Sequence, residues 1–211
     1  MKGGCIPLNI MLGIKEQDTE MRNIFDLEPH TQVLQDDSYI ISYPHILSYF
    51  SALEAIGEAD AVRGAHMVYG WMPTMLDLYP ETPNKTLIEI AELLTQAKNN
   101  NPLSEAQIQD VASVINNSLV GASKMLHFVA PHKYAIWDSK IYAFVHEKKA
   151  YNYRVNNVDL YIKYLEALDG LEKKNEFGAF HQSVNRKIGY EVSSKRAIEL
   201  VMFLNSPELG G

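Results

Sequence analysis

Apolar residues recur at helical spacing in successive segments of the chain. They lie three or four positions apart, as on the buried face of an amphipathic helix. Alternation of apolar and polar residues, which indicates a strand, has a single candidate at residues 39–43. The helical segments are residues 39–55, Glu58–Trp71, residues 86–97, residues 104–116, Leu119–Val129, residues 139–149, residues 157–171, Phe177–Ile188 and Ser194–Leu204. The pattern therefore predicts an all-α fold, a multi-helix array of about eight to ten helices.

Polar residues and prolines mark the ends of these segments. Ser104 and Asp138 stand where an N-cap side chain accepts hydrogen bonds from the free N–H groups of a helix. Pro131 follows one segment and stops it, because proline lacks the N–H that a helix interior requires. Pro44 falls inside the first segment, so that helix is expected to be interrupted there or to start there.

The composition is that of a globular protein. Of the 211 residues, 46% are apolar and 21% are charged, and a chain of this length can bury a substantial core. No internal repeat or low-complexity tract divides it into modules. We expect residues 1–17 to form a flexible N-terminal extension and residues 18–211 to form a single α-helical domain.

Two features bear on location. No apolar run approaches the ~20 residues that a bilayer-spanning helix needs, so no membrane association is expected. Cys5 is the only cysteine, which leaves no internal disulfide and fits the reducing cytoplasm. The expected location is therefore cytoplasmic.

Charge is unevenly distributed along the chain, whose formal net charge is −7. Residues 1–120 carry six Lys or Arg against sixteen Asp or Glu, whereas residues 121–211 carry thirteen against ten. The basic residues between positions 121 and 154 are Lys124, Lys133, Lys140, Lys148, Lys149 and Arg154. Such a local excess is typical of a surface that faces a polyanion, although a solvated helix face produces it equally well.

The stretch from residue 121 to residue 145 holds the candidate chemistry. Gly121 and Ser123 lie at the start of the Leu119–Val129 segment, where small residues let the backbone approach another surface closely. Lys124 follows on the same segment. Asp138 caps the next helix, within the phrase Ile136-Trp137-Asp138-Ser139-Lys140-Ile141.

This arrangement resembles the helix-hairpin-helix DNA glycosylase superfamily, and bacterial proteins related to it that share a K-x-L-H-F … P … W-D-S phrase. There, a glycine-bearing hairpin precedes a helix, and an aspartate caps the helix after it. Residues 120–124 look like the hairpin and its lysine, and Asp138 looks like the aspartate. The chain has one glycine at this hairpin, and Lys124 and Asp138 are fourteen residues apart, about one helical turn fewer than in the superfamily.

The resemblance implies a DNA-repair-like base-excision glycosylase or glycosylase/lyase, in which Lys124 attacks the sugar and Asp138 assists. The lysine amine must be neutral to attack C1′, and burial or a neighbouring cation favours that state by lowering its pKa. The target base is flipped out of the stack into a pocket. The expected substrate-binding residues are Gly121, Ser123, Trp137, Tyr134, Lys140 and Trp71.

DNA is the expected partner, and no cofactor is expected. With one cysteine, the chain has no cysteine cluster for the iron–sulfur branch of the superfamily. His127 and His132 precede Asp138 at spacings that match no metal-ligand motif, so no metal is expected either.

Two other functions stay open. A non-catalytic nucleic-acid-binding module would keep the fold and the basic stretch without the chemistry, and a helical scaffold or interaction protein would need neither. Lys124 would then be a surface lysine, Asp138 only a cap, and Trp71 and Trp137 core anchors. DNA binding without base release would indicate the first alternative, and no DNA binding at low salt would indicate the second.

Overall fold

The computed structural model describes residues 23–72, 74–79, 81–82 and 85–208, and helices fill most of them. These residues contain eleven α-helices, a 3-10 turn at Glu28–His30 and two isolated β-bridges, with no β-strand. The α-helices are α1 (Ile24–Leu27), α2 (Ser38–Ser51), α3 (Glu58–Trp71), α4 (Leu87–Lys98), α5 (Glu105–Val114), α6 (Leu119–Val129), α7 (Ser139–His146), α8 (Asn152–Val155), α9 (Val158–Glu172), α10 (Phe177–Ile188) and α11 (Ser194–Leu204).

The all-α prediction is confirmed. The helices outnumber the predicted eight to ten because α1 and α8 have four residues each, too few to show a helical period. None of the helices in the described ranges is long and apolar enough to cross a membrane. The predicted extension at residues 1–17 lies outside the described residues.

Helix α2 runs through Pro44, so the candidate strand at residues 39–43 is wrong. Proline cannot donate to the carbonyl four residues earlier, which here belongs to Ile40. The Tyr190 hydroxyl donates to that carbonyl instead, at 2.7 Å. A tertiary contact thus satisfies the backbone group that the proline leaves without a helical partner.

Side-chain caps begin several of the helices, as predicted for Ser104 and Asp138. At the start of α5, the Ser104 hydroxyl accepts from the Gln107 N–H, and the Gln107 side chain accepts from the Ser104 N–H, which completes a capping box. Asp138 accepts from two N–H groups in the first turn of α7. Helix α7 ends at His146, three residues before its predicted end, because Glu147 adopts a left-handed φ of 49°.

The turn between α5 and α6 lies before the segment that was predicted to form a hairpin. Residues 120–124 belong to α6, and the chain reverses at residues 115–118. There, Asn116 and Asn117 have φ values of 54° and 46°. Asparagine tolerates this left-handed region because its side chain can hydrogen-bond locally. The Asn116 side chain also donates to the Met75 carbonyl at 3.0 Å, which ties the turn to the preceding loop.

Helix α6 lies at the centre of the core. All of its residues except Val120 are buried, and it packs against α2, α3, α4 and α5. A helix enclosed on every side needs internal partners for its polar side chains. The Nδ1 of His127 lies 2.8 Å from the Tyr134 carbonyl, and its Nε2 lies 2.8 Å from the Tyr43 hydroxyl. Burial lowers the pKa of His127 to about 3, so the neutral ring donates to the carbonyl and accepts from the tyrosine.

Gly121 allows α6 to approach α3 closely. A Cβ atom built on Gly121 would lie 2.2 Å from the hydroxyl oxygen of Tyr69, far inside van der Waals contact. The predicted close approach at this glycine is therefore made with the protein's own tyrosine.

Replacing Gly121 with alanine is expected to destabilise the fold, because overpacking forces side chains or backbone to shift. We expect Gly121→Ala to lower the free energy of unfolding by about 1–3 kcal/mol in urea titrations. Adding Tyr69→Phe removes the hydroxyl oxygen and should restore part of the loss. Gly70→Ala on α3 is the matched control, since its Cβ would meet nothing within 4 Å. Equal stabilities for the two alanine variants would contradict this account.

Candidate functional site

The structure brings Lys124 and Asp138 together. Lys124 lies in the middle of α6, and Asp138 is the N-cap of α7. The Lys124 Nζ is 3.6 Å from the Asp138 Oδ2, and the two side chains are only 11% and 13% exposed. Both line a cleft of about 450 Å³, a volume in the range of small-molecule sites.

Hydrogen bonds between their neighbours in the chain hold these two residues side by side. Ser123 precedes Lys124, and Trp137 precedes Asp138. The Trp137 N–H donates to the Ser123 hydroxyl oxygen at 3.1 Å, and that hydroxyl lies 3.1 Å from the Trp137 carbonyl. The indole N–H of Trp137 donates to the Val155 carbonyl at 2.8 Å. These hydrogen bonds hold the segment that precedes Asp138 against α6 and α8.

The two carboxylate oxygens of Asp138 have different partners. Oδ1 accepts from the Lys140 and Ile141 N–H groups, each at 3.0 Å, and so caps α7. Oδ2 lies near the Lys124 Nζ, at a distance that fits an ion pair and exceeds a hydrogen bond. One oxygen therefore fixes the carboxylate in place while the other is available to the lysine.

Burial makes the charge on Lys124 costly. It lowers the pKa of the amine below the 10.5 of an ordinary lysine, while the carboxylates of Asp138 and Glu199 act in the opposite direction. Desolvation outweighs these attractions. The site therefore favours the neutral, nucleophilic amine more than water does.

A second charged pair, Arg196 and Glu199 on α11, lines the same cleft. The Arg196 Nη1 donates to the Glu199 Oε2. Burial raises the pKa of Glu199 to about 7, against the opposing effect of Arg196. The sequence interpretation missed this pair. Its signal was two charges at i and i+3 in the otherwise apolar run R-A-I-E-L-V-M-F-L.

The predicted substrate-binding residues divide into two groups. Trp71 and Lys140 line the cleft with the catalytic candidates. The indole N–H of Trp71 donates to the Tyr39 carbonyl at 3.2 Å, and the Lys140 Nζ lies 4.3 Å from the centre of the Phe203 ring. These contacts hold both side chains at the cleft.

The other predicted contacts are buried structural positions. Trp137 and Ser123 are fully buried, and the Trp137 N–H donates to the Ser123 hydroxyl. Gly121 faces Tyr69. The Tyr134 hydroxyl accepts from the Leu103 N–H at 2.8 Å. None of these four predicted residues lines the cleft, so they support the site from within the core.

A second opening of about 400 Å³ also reaches Lys124 and Asp138. Asn116 and Ser118 from the α5–α6 turn line it, together with Asn152 from α8. The lysine–aspartate pair therefore lies where two openings meet.

No protein-family model, curated protein or solved structure gives a significant match to this chain. Within residues 23–72, 74–79, 81–82 and 85–208, no group of three or more His, Cys, Asp or Glu side chains is placed to hold a metal ion. Fold and site define an all-helical protein with a buried lysine–carboxylate pair in a ligand-sized cleft.

The two functions of the Asp138 carboxylate are separable by substitution. We expect Asp138→Ala to lower the free energy of unfolding by about 1–2 kcal/mol, because α7 loses its cap. Asp138→Asn should cost less, since the amide oxygen can still accept from the two N–H groups. Urea unfolding measures both values. The cap assignment fails if the two variants are equally destabilised.

Proposed function

We propose that this chain is a DNA glycosylase/lyase-like enzyme, in which Lys124 attacks C1′ of a flipped nucleotide and Asp138 assists. The observation that carries the proposal is the 3.6 Å separation of the Lys124 Nζ and the Asp138 Oδ2 on the wall of one cleft. The lowered pKa of Lys124 adds support, because only a neutral amine is a nucleophile.

The proposed reaction begins with nucleophilic displacement of the base. The lone pair of Nζ forms a bond to C1′ while the glycosidic C–N bond breaks, and its electron pair leaves with the base. Asp138 Oδ2 lies close enough to receive the proton that Nζ sheds. Breaking of the C1′–O4′ bond and protonation of O4′ then leave a protonated Schiff base on Lys124.

The shape and lining of the cleft support a flipped base as the ligand. Its volume of about 450 Å³ exceeds what a base alone requires. Trp71 and Phe203 on its wall offer apolar and aromatic surface of the kind against which enzymes stack an extruded base. Lys140 lines the same wall, and its positive charge suits a phosphate of the DNA backbone.

The arrangement of helices supports the helix-hairpin-helix part of the proposal. Helices α5 and α6 pack together and are joined by the tight turn at residues 115–118, and the aspartate caps α7. Exposed Lys133, Lys148 and Lys149 lie in the loops that flank α7. These positive charges suit a polyanionic backbone.

Borohydride trapping tests the covalent step, because reduction of the Schiff base leaves a stable protein–DNA adduct. We expect the wild-type chain to be trapped on duplexes that carry an abasic site, uracil or hypoxanthine, and Lys124→Met to give no adduct. Denaturing electrophoresis measures the retarded product. Lys173→Met is the matched control, since Lys173 is exposed and distant in sequence from the site, and it should trap like wild type.

Two results would reject the proposal. Equal trapping by wild type and Lys124→Met would show that Lys124 is not the nucleophile. No trapping by either protein on any duplex would exclude the lyase activity. In the second case, filter binding at graded salt separates a DNA-binding module from a scaffold, because phosphate contacts weaken as salt rises.

The pH dependence of trapping provides a second test. The rate should rise with pH as Lys124 loses its proton, and level off above a midpoint below 10.5. Asp138→Asn removes a carboxylate that stabilises the ammonium form, so its midpoint should move to lower pH. Its plateau rate should fall as well, because the proton acceptor is missing. A midpoint at 10.5 or above, or an upward shift in Asp138→Asn, would show that Lys124 is not the titrating nucleophile.

A further inference from the structure

The loop after α7 and the short helix α8 form an exposed basic segment. Residues 148–154, with the sequence K-K-A-Y-N-Y-R, contain three cations and no carboxylate. Lys148, Lys149 and Arg154 are all exposed. The adjoining acid, Glu147, is half-buried. The segment therefore presents positive charge to solvent on a chain whose formal net charge is −7.

Two tyrosines of this segment are exposed and stacked on each other. Tyr151 and Tyr153 are 52% and 68% exposed, the highest values among the tyrosines of the described ranges. The centres of their rings are 6.0 Å apart, and the ring planes are inclined by 16°. Exposed aromatic rings interleaved with cations are typical of surfaces that bind single strands of nucleic acid.

Cations lie beside both rings. The Lys149 Nζ is 6.0 Å from the centre of the Tyr151 ring, and the central guanidinium carbon of Arg154 is 5.4 Å from that of Tyr153. The Arg154 Nε also donates to the Tyr153 hydroxyl at 3.1 Å. Each ring thus has a positive charge next to it. We call Lys148, Lys149, Tyr151, Tyr153 and Arg154 the tyrosine surface.

The backbone of the tyrosine surface is attached to the core. Tyr151 is the N-cap of α8, and its carbonyl accepts from the Val155 N–H at 3.1 Å. Val155 is buried, and its carbonyl accepts from the indole N–H of Trp137. The side chain of the following residue, Asn156, accepts from the Leu119 N–H at 2.9 Å. A fixed backbone presents the two rings, which reduces the ordering that binding requires.

The tyrosine surface borders the second opening to the lysine–aspartate pair. Ala150 and Asn152, the residues on either side of Tyr151, line that opening together with Lys124 and Asp138. A strand that lies on the tyrosine surface is therefore brought to the mouth of this opening.

We propose that the tyrosine surface binds a single strand of nucleic acid, whose unpaired bases stack on Tyr151 and Tyr153 while its phosphates meet the three cations. Stacking needs a free π-face, which a base inside a duplex does not offer. An acidic peptide would use the cations and leave the flat pair of rings without a role. The inference rests on the proposed function for its biological role, since the bound strand would lead to Lys124. Binding itself needs neither Lys124 nor a damaged base.

Two strands of equal charge separate stacking from charge attraction. Fluorescence anisotropy compares a labelled dT strand of about eight nucleotides with one whose phosphates, equal in number, are joined by propanediol linkers without base or sugar. We expect the chain to bind the dT strand at least about tenfold more tightly at the same salt, because each stacked base adds affinity. Equal affinity, or binding of neither strand at low salt, would overturn the proposal.

A third strand, of rU and the same length, identifies the sugar. Tighter binding of either the dT or the rU strand than of the linker strand supports the tyrosine surface, and the stronger of the two shows whether its ligand is DNA or RNA. If neither exceeds the linker strand, the surface binds polyanions in general and the proposal is wrong.

Variants connect the preference to the two rings. Tyr151→Ala combined with Tyr153→Ala should weaken dT binding at least about tenfold and leave binding of the linker strand unchanged. Phenylalanine at both positions keeps the ring faces and should bind like wild type. Tyr79→Ala is the matched control, since Tyr79 is 44% exposed and lies outside the tyrosine surface. A dT preference that survives in the double alanine variant would reject the assignment.

The cations have a different expected effect. Lys148→Gln combined with Lys149→Gln should weaken binding of the dT and linker strands by similar factors and make both less sensitive to salt, because phosphate contacts are lost. All of these substitutions are at exposed positions, so the variants should stay folded, which circular dichroism checks. Unchanged binding of both strands by the lysine variant would exclude the charge contribution to the surface.

Failure of this inference and failure of the proposed function are distinguishable, because the dT strand contains no lesion. Lys124→Met should bind it like wild type. A dT preference without borohydride trapping would leave the tyrosine surface and reject the lyase. Trapping without a dT preference would leave the lyase and reject the tyrosine surface.

Discussion

The attachment of the Trp137 backbone to the Ser123 hydroxyl is the interaction on which the site depends. It joins the centre of the buried helix α6 to the segment that leads into α7. Because Lys124 and Asp138 are the next residues in the two segments, this attachment sets their separation. Trp137 adds to it by packing 5.1 Å from the Tyr164 ring and donating to the Val155 carbonyl. Rigid packing of this kind holds the two side chains in place, as the proposed reaction requires.

The low dielectric around α6 has opposite effects on the two kinds of ionisable group at the cleft. Burial lowers the pKa of Lys124 and raises that of Glu199, because each charged form loses hydration. The opposite charges of Asp138 and Arg196 reduce these shifts without cancelling them. The cleft thus holds an amine biased towards its neutral form and a carboxyl whose pKa is raised to about 7.

Several buried polar side chains around α6 are paired within the protein. Both ring nitrogens of His127 and the hydroxyl of Tyr134 have hydrogen-bond partners. These contacts stabilise the packing around α6. Arg196 and Glu199 are equally buried, and their side chains hydrogen-bond to each other. Pairing of this kind is what burial demands, because an unpaired polar group in the core is costly.

The local pattern of residues was enough to predict the helical class, the bounds of α3, α6, α10 and α11, and the cap at Asp138, because apolar period and cap chemistry are local. A short motif also made Lys124 and Asp138 candidate site residues, and the structure places these two side chains 3.6 Å apart. Which side chains reach the cleft, by contrast, follows from how the helices pack in three dimensions. Trp137 and Tyr134 are buried against distant segments, whereas Arg196 and Glu199 arrive from a helix more than fifty residues further along the chain. The Ile40 carbonyl, which Pro44 leaves without a helical partner, likewise bonds to Tyr190, a residue that no local pattern connects to it. Burial and pairing across the chain have no local signature, so the electrostatic character of the cleft emerges only when the helices pack.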